Sequence, residues 1–164
     1  MRGVVVGRFQ PLHNGHAALI KQAIEDCVDV VVAIGSSQAK PSPTNPFSLE
    51  ERTAMIQAAF PGVTVVAVPD IHDPPNWVDH MLRLTGPVDR AFGNDDQTMD
   101  LFEDAGIPVR RPGLEKREAW EGKTVRLQIA EGDGAWRKSV PGPVKDLLDS
   151  WDAGIRLRRL EAAL

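Results

Sequence analysis

The chain has 164 residues, of which 42% are hydrophobic and 26% charged, and its formal net charge is −4. This length is enough for one globular core, and this composition excludes a disordered chain and a membrane protein. The negative charge argues against nucleic acid as a partner, because binding to a phosphate backbone normally needs a basic surface. The single cysteine, Cys27, excludes an internal disulfide. We therefore expect a cytoplasmic protein that has no signal peptide and acts on small molecules.

Short β-rich runs alternate with helical patterns along the chain. The predicted strands are Val4–Val6, Val28–Ile34, Val63–Val68, Val88–Phe92 and Val109–Arg110. The predicted helices cover Ala17–Ile24, Ser48–Phe60, Asn76–Leu84 and Asp96–Ala105, and then Thr124–Glu131, Pro143–Trp151 and Ile155–Ala163. This alternation predicts an α/β fold, a Rossmann-like domain with a mainly parallel five-stranded sheet and helices on both faces. We expect one domain over residues 1–164, with an α/β core over 1–112 and a helical C-terminal part over 113–164.

The second predicted helix has the clearest start. Ser48 is followed three residues later by Glu51, which is the spacing of a capping box, and Pro61 with Gly62 ends the helix. The proline-rich stretch before it, Lys40–Pro46, is interpreted as one long loop.

The run from Gly7 to His16 follows the first predicted strand and leads into a helix. Ligands of open parallel sheets bind outside the carboxyl ends of the strands, so this run is the first candidate site. Asn14 is a candidate N-cap, and the free amides of the first helical turn then form an anion site that His13 and His16 flank. Imidazole suits phosphate chemistry because it can donate a hydrogen bond and become cationic. A lone histidine is more often a packed or surface residue, but two histidines around Asn14 and Gly15 make that alternative weaker.

The sequence does not contain a P-loop, a different phosphate-binding motif. Gly122-Lys123-Thr124 has the ending of a P-loop, but that motif needs a glycine where Arg117 stands, and no strand leads into it.

The histidine run carries a family resemblance. His13-Asn14-Gly15-His16 resembles the HxGH signature of the nucleotidylyltransferase superfamily, and Gly7–Pro11 resembles the archaeal type of nicotinamide mononucleotide adenylyltransferase. The resemblance continues at nearly constant spacing through Ile34–Gln38, Asn45–Ser48, Glu51-Arg52, Asp70-Ile71, Trp77-Val78, His80, Gly93-Asn94, Gly122, Val125-Arg126, Gly132-Asp133 and Trp136-Arg137.

The resemblance implies that an acceptor phosphate attacks the α-phosphorus of ATP in line and releases pyrophosphate. It assigns catalysis to His13, His16, Arg8 and Arg126. It assigns ATP binding to Gly7, Phe9, Gln10, Gly15, Gly93, Asn94, Lys123 and Thr124, and acceptor binding to Trp77, Asp70, Ser36, Lys40 and Phe47. Mg²⁺ is expected as a cofactor held mainly by the ATP phosphates, without a cage of protein ligands. The resemblance also implies a homo-oligomer.

Three of these assignments have structural alternatives. Trp77 can anchor the core instead of stacking on the acceptor base, Asp70 can be a loop cap, and Gly93-Asn94 can be a simple turn.

Three positions depart from the archaeal pattern. Thr44 stands where an arginine is usual, Pro74 where an asparagine is usual, and Lys123 where a hydroxyl residue is usual. The leading hypothesis is an enzyme that makes NAD from ATP and nicotinamide mononucleotide. One alternative keeps the reaction with another phosphorylated acceptor, including nicotinate mononucleotide, and another is a non-catalytic nucleotide-binding regulator.

Overall fold

The structure, a computed structural model, describes residues 1–113 and 120–164. The described residues group into two compact units, each built from segments that are not consecutive in the chain. The sheet unit contains residues 1–8, 18–37 and 62–113, and the helical unit contains residues 9–17, 38–61 and 120–164. Arg117, which stands where a P-loop would need a glycine, lies outside the described residues. The single-domain organisation stays a prediction.

The sheet unit holds five parallel strands, which confirms the predicted α/β fold. They are β1 (Arg2–Gly7), β2 (Asp29–Ile34), β3 (Thr64–Ala67), β4 (Arg90–Phe92) and β5 (Val109–Arg110). Their spatial order is β3-β2-β1-β4-β5, so the order reverses between β1 and β4. This is the order of doubly wound folds, in which the crevice at the reversal is the usual ligand site. The second strand was predicted one residue too long, since Val28 is 93% exposed and precedes it.

Side-chain alternation explains why both faces of the sheet are covered. Val4, Val31 and Ala91 lie side by side in register and share one core cluster with residues of the helices α3 (Pro74–Thr85) and α4 (Asp96–Asp104). The opposite face is closed around Gly3, where an added Cβ would lie 2.8 Å from the Phe92 ring and 2.9 Å from the sulfur of Cys27. Cys27 directly follows α1 (Asn14–Asp26), and its thiol is buried.

The helical unit contains α2 (Leu49–Ala59), α5 (Gly122–Glu131), α6 (Gly142–Ser150) and α7 (Ala153–Ala162). The predicted capping box begins α2: Ser48 Oγ accepts from the Glu51 amide at 3.1 Å, and Glu51 Oε1 accepts from the Ser48 amide at 3.0 Å. Helix α2 packs on α6, and α5 packs on α7. A short 3-10 helix, Gly134–Lys138, was not predicted, because five residues are too few to show a helical period. No helix within the two described stretches is long and apolar enough to cross a membrane.

Candidate active site

In the sheet unit, predicted site residues follow the carboxyl ends of four neighbouring strands. Gly7 ends β1 and the exposed Arg8 follows it, while Ser36, Asp70 and Gly93 come after β2, β3 and β4. Ser36 is buried with a φ of 48°, a left-handed conformation that is rare for a residue with a side chain. Its hydroxyl donates to Asp70 Oδ1 at 3.1 Å. The sheet edge therefore joins two residues that were predicted separately as acceptor ligands.

Trp77 lies in α3 and is half-buried. Its ring meets Phe102 edge to face, with the ring centroids 5.8 Å apart and the planes at 84°. The indole thus contributes to the core, as the structural alternative required, and its stacking on an acceptor base stays a prediction. His80, on the same helix, pairs its Nε2 with the carbonyl of Pro69 at 2.9 Å, which holds the backbone next to Asp70.

Gly93 and Asn94, which follow β4, make their contacts with other residues of the protein. Asn94 Oδ1 accepts from the Gly113 amide at 2.8 Å, and its Nδ2 donates to the Gly113 carbonyl at 3.3 Å. A Cβ on Gly93 would lie 2.7 Å from the terminal methyl of Met99. Packing and a loop-to-loop link therefore account for both residues, and a nucleotide contact by Asn94 stays a prediction.

In the helical unit, the residue that caps α1 is His13 and not Asn14. Helix α1 begins at Asn14, and His13 Nδ1 accepts from the amides of Gly15 at 3.1 Å and His16 at 3.4 Å. Asn14 instead ties the helix start to the end of the 3-10 helix, because its Nδ2 donates to the carbonyl of Lys138 at 2.9 Å. The prediction of Asn14 as N-cap is wrong, since an imidazole nitrogen takes the position of the usual side-chain oxygen.

The two histidines form a capping box made of imidazoles. His16 stands three residues after the cap, and its Nδ1 accepts in return from the His13 amide at 3.4 Å. The two rings stack with centroids 3.7 Å apart and planes at 21°. Because each Nδ1 accepts a hydrogen bond from a backbone N–H, the proton of each neutral ring resides on Nε2. The spacing of N-cap and N3 was visible in the sequence as the signal for this arrangement.

The first-turn amides of α1 are not a free anion site. Asn14 N donates to the Ser139 carbonyl at 2.8 Å, Ala17 N donates to the His13 carbonyl at 2.9 Å, and the two amides between them donate to His13 Nδ1. The expected direct binding of an anion by these amides is therefore wrong. The donors that the helix start offers are the Nε2–H groups of the imidazoles.

Both rings are neutral near neutral pH. Burial, and then the positive charge of Arg126, lower the pKa of His13 from 6.5 to about 4. The protein packed around the ring of His16, and then the adjacent His13, lower the pKa of His16 well below its ordinary value. His13 is only 7% exposed, whereas His16 is half-buried. The pair thus provides neutral hydrogen-bond donors.

Gly15 and Phe9 keep the rings in place. A Cβ on Gly15 would lie 2.9 Å from His13 Cε1 and 3.2 Å from the carbonyl oxygen of Trp120, so glycine is required for the ring to lie over the helix start. Phe9 is fully buried in a left-handed conformation with a φ of 55°, and its ring lies 4.7 Å from that of His16. Both residues were predicted to bind ATP, but in this structure they contact the histidines. Trp120 was not identified from the sequence, because the contact is made by its backbone.

Gln10 and Arg126 connect three segments of the helical unit. The side-chain amide of Gln10 pairs with the backbone of Phe47, donating to its carbonyl at 3.0 Å and accepting from its N–H at 2.9 Å. Arg126 Nη1 donates to the Gln10 carbonyl at 2.9 Å. Gln10 was predicted to bind ATP and Phe47 to bind the acceptor. In this structure both are buried, with exposed fractions of 3% and 1%.

Lys123 and Thr124 lie in the first turn of α5, one turn before Arg126. The N-cap of this helix, Glu121, makes no side-chain capping bond. Lys123 is exposed and Thr124 is half-buried. Lys40 is also exposed, at the start of the loop that leads to Phe47.

Thr44 lies in a turn within that loop. The backbones of Ser42 and Asn45 pair across this turn, and Thr44 Oγ1 accepts from Asn45 Nδ2 at 3.2 Å. The Thr44 hydroxyl, at the position where an arginine is usual, therefore forms a hydrogen bond within the loop.

Comparisons with known proteins show which proteins this chain is similar to. A family model described as cytidylyltransferase-like matches residues 4–76. The nicotinamide-nucleotide adenylyltransferase of Methanolobus tindarius is 37% identical over 161 residues, which are 96% of this chain and 92% of that protein. The protein of the same name from Methanothrix thermoacetophila is 35% identical over 163 residues, which are 97% of this chain and 95% of that protein.

A solved structure shows the same fold. The bifunctional NMN adenylyltransferase/ADP ribose pyrophosphatase from Francisella tularensis, complexed with AMP and a manganese ion, matches 98% of this chain with a TM-score of 0.76 and 20% identity. The chain spans about half, 52%, of that structure's length.

The relatives match nearly the whole chain at more than 30% identity, and the histidine capping box lies inside the region of the family match. The non-catalytic regulator considered above loses its support, because the relatives are enzymes by name. The chain belongs to the family of nicotinamide-nucleotide adenylyltransferases and is a nucleotidyltransferase.

Proposed function

We propose that the protein transfers the adenylyl group of ATP to nicotinamide mononucleotide and yields NAD and pyrophosphate. The observation that carries this proposal is the imidazole capping box of His13 and His16, found in a chain whose relatives bear that activity in their names. Two neutral Nε2–H donors and the Arg126 guanidinium form a group suited to the oxygens of a triphosphate.

The proposed step is a single displacement. An oxygen of the acceptor phosphate forms a bond to the α-phosphorus of ATP, the bond from that phosphorus to the bridging oxygen breaks, and pyrophosphate leaves with the electron pair. Such a reaction depends on positioning and on neutralising charge, and it needs no covalent enzyme intermediate.

Each basic group has a place in this proposal. His16 donates from Nε2 to an oxygen on the α-phosphorus, and His13 donates beside it. Arg126 supplies a full positive charge next to His13, whose pKa its charge lowers. Lys123 and Thr124 bind the outer phosphates at the start of α5, where no side chain caps the helix. Arg8 adds a cation directly after β1.

The acceptor half of the proposal rests on three residues of the sheet unit and on Lys40 of the helical unit. The Ser36–Asp70 pair offers a hydroxyl and a carboxylate to a ribose, and the accessible part of Trp77 offers a ring face to the acceptor base. Lys40 offers a positive charge to the acceptor phosphate.

Mg²⁺ is proposed as the cofactor. In residues 1–113 and 120–164, no group of three or more histidine, cysteine or acidic residues could hold a metal ion. The oxygens of the ATP phosphates are ligands that Mg²⁺ prefers, and the ion supplies further neutralisation of their charge.

The test is product formation by the purified protein with ATP, nicotinamide mononucleotide and Mg²⁺. We expect NAD and pyrophosphate to appear in equal amounts, measured by chromatography and by a coupled pyrophosphate assay. ATP consumption without any dinucleotide, or no reaction with either the nicotinamide or the nicotinate nucleotide, would contradict the proposal.

A second candidate keeps the reaction and changes the acceptor. It is favoured by Thr44, which is used within its own loop, and by Pro74, which is the first residue of α3. Proline suits that position because the amide it lacks would have no helical partner. Neither residue reproduces the arginine or the asparagine usual there, so another phosphorylated acceptor is a defined alternative.

A further inference from the structure

Gln10 belongs to the loop of residues 8–13 between β1 and α1, here called the histidine loop. Its side chain bonds to Phe47, at the end of the Lys40–Phe47 segment. Its side chain is 3% exposed, and both of its polar atoms bond to one residue, Phe47. The side-chain amide pairs with the Phe47 backbone through one donated and one accepted hydrogen bond, in the way that a neighbouring strand would. Among side chains, only asparagine and glutamine carry this pair of groups, and asparagine is one methylene shorter.

The same end of this segment is also held by a second residue, Arg156. Arg156 Nη1 donates to the Pro46 carbonyl at 3.3 Å and to Glu51 Oε1 at 2.6 Å, and its guanidinium lies 5.5 Å from the centre of the Phe47 ring. The backbone of residues 46 and 47 is therefore held from two sides, by Arg156 and by Gln10. The contact with Gln10 joins this backbone to the loop that precedes α1.

Two contacts of Gln10 belong to different parts of the residue. The side chain holds Phe47, whereas the backbone carbonyl accepts from Arg126 at 2.9 Å. A substitution of the side chain leaves the carbonyl in place. The two side-chain hydrogen bonds to Phe47 can therefore be removed while the bond from Arg126 to the Gln10 carbonyl is retained.

We propose that Gln10 is a positioning residue that sets the Lys40–Phe47 segment relative to the catalytic histidines and so governs use of the acceptor. This inference rests on the proposed function, in which this segment binds the acceptor phosphate. In this proposal the Gln10 side chain positions the segment, whereas the sequence predicted that it binds ATP.

The test uses Gln10→Met, which keeps the length of the side chain and removes both hydrogen bonds to Phe47. We expect the KM for nicotinamide mononucleotide to rise about tenfold or more, because small misplacements of binding groups have large kinetic effects, while the KM for ATP stays within about twofold. Gln22→Met is the matched control: it makes the same change within α1, where Gln22 bonds only to Asp26, four residues away. Its two KM values should equal those of the unchanged protein.

Amide hydrogen exchange gives a readout that does not depend on activity. The Phe47 amide should exchange about tenfold faster in Gln10→Met, while amides in the middle of α2 keep their rates. If Gln10→Met does not fold, Gln10→Asn, which is too short to make both bonds, is measured in the same two ways.

The outcomes separate the two proposals. An unchanged Phe47 exchange rate, or equal changes in both KM values, overturns the positioning role. If the unchanged protein forms no dinucleotide, the proposed function fails, and the exchange measurement alone decides whether Gln10 holds the segment.

Discussion

Each histidine of the pair uses its two ring nitrogens for different purposes. Nδ1 accepts hydrogen bonds from the backbone at the start of α1. In the proposed reaction, Nε2 donates to a phosphate oxygen. Any residue with a short side-chain acceptor can satisfy the first purpose, but the second needs a ring that reaches further. Structural and catalytic contributions of His13 can therefore be separated by substitution.

His13→Asn should keep the cap and lose the catalytic donor. Asparagine is among the best N-cap residues, so we expect this variant to be more stable than His13→Ala by about 1 kcal/mol. Both variants should lose turnover by a similar factor of about 100 to 1,000, the usual effect of removing one donor to a transition state. Urea denaturation measures the first quantity and kcat the second. Full activity of His13→Asn would show that Nε2 of His13 has no part in the reaction.

Gly15→Ala should disturb the rings without touching any ligand. The added methyl group would lie 2.9 Å from His13 Cε1, so the ring must tilt. We expect kcat to fall about tenfold to a hundredfold and the free energy of unfolding to fall by about 1 to 3 kcal/mol.

The control for this substitution is Gly142→Ala, in the first turn of α6, where an added Cβ meets no atom within 4 Å. It should leave both quantities nearly unchanged. If Gly15→Ala behaved like this control, the close packing of His13 against the helix start would be disproved.

At the scale of elements, the start of α1 makes the stability of the protein depend on pH. His13 has a pKa of about 4 when folded and 6.5 as its ordinary value, so between these pH values the unfolded chain binds more protons than the folded one. The contribution of the neutral ring is complete above pH 6.5 and decreases as the pH falls toward 4. For His13 alone the decrease amounts to about 3 kcal/mol.

The free energy of unfolding should therefore fall on acidification, and less so in His13→Asn. Denaturation curves of both proteins at several pH values between 7.5 and 4 test this, with the range chosen to span the shift of the His13 pKa from 6.5 to about 4. Comparison with the variant cancels the titration of carboxylates such as Glu51. That group has a folded pKa below its ordinary value, because hydrogen bonds from Arg156 and Ser48 outweigh the effect of burial. Parallel curves for the two proteins would contradict the assignment of the acid sensitivity to His13.

The elements also show which site features a sequence can predict. The capping box of Ser48 and Glu51 was predicted because both partners are local and three residues apart. The same spacing in His13 and His16 was overlooked, because histidine is seldom a cap. Gln10 and Asn94 were predicted to bind ATP, but each bonds to the backbone of a residue that is distant in the chain. Gln10 bonds to Phe47, and Asn94 bonds to Gly113. Such long-range pairs leave no local pattern in the chain.

At the scale of the whole molecule, the sheet was predicted more fully than the grouping of the segments around it. Alternating strands and helices implied a parallel sheet, and its order, β3-β2-β1-β4-β5, is that of doubly wound folds. Residues 9–17 and 38–61, however, belong to the same compact unit as the C-terminal helices, contrary to a simple division near residue 112. Contacts between segments far apart in the chain decide this grouping, and hydrophobic periodicity does not report them. The homo-oligomer implied by the family stays a prediction that light scattering can test.

The acceptor that the protein adenylylates can be identified in one competition experiment. The purified protein is given ATP, Mg²⁺ and an equimolar mixture of nicotinamide mononucleotide, nicotinate mononucleotide, other nucleoside monophosphates and phosphorylated alcohols, and the adenylylated products are identified by mass spectrometry at early times. We expect NAD to be the main product and the amount of pyrophosphate to equal the total amount of adenylylated product. A different adenylylated acceptor as the main product would contradict the account of the acceptor site, and the absence of any adenylylated product would contradict the proposed reaction.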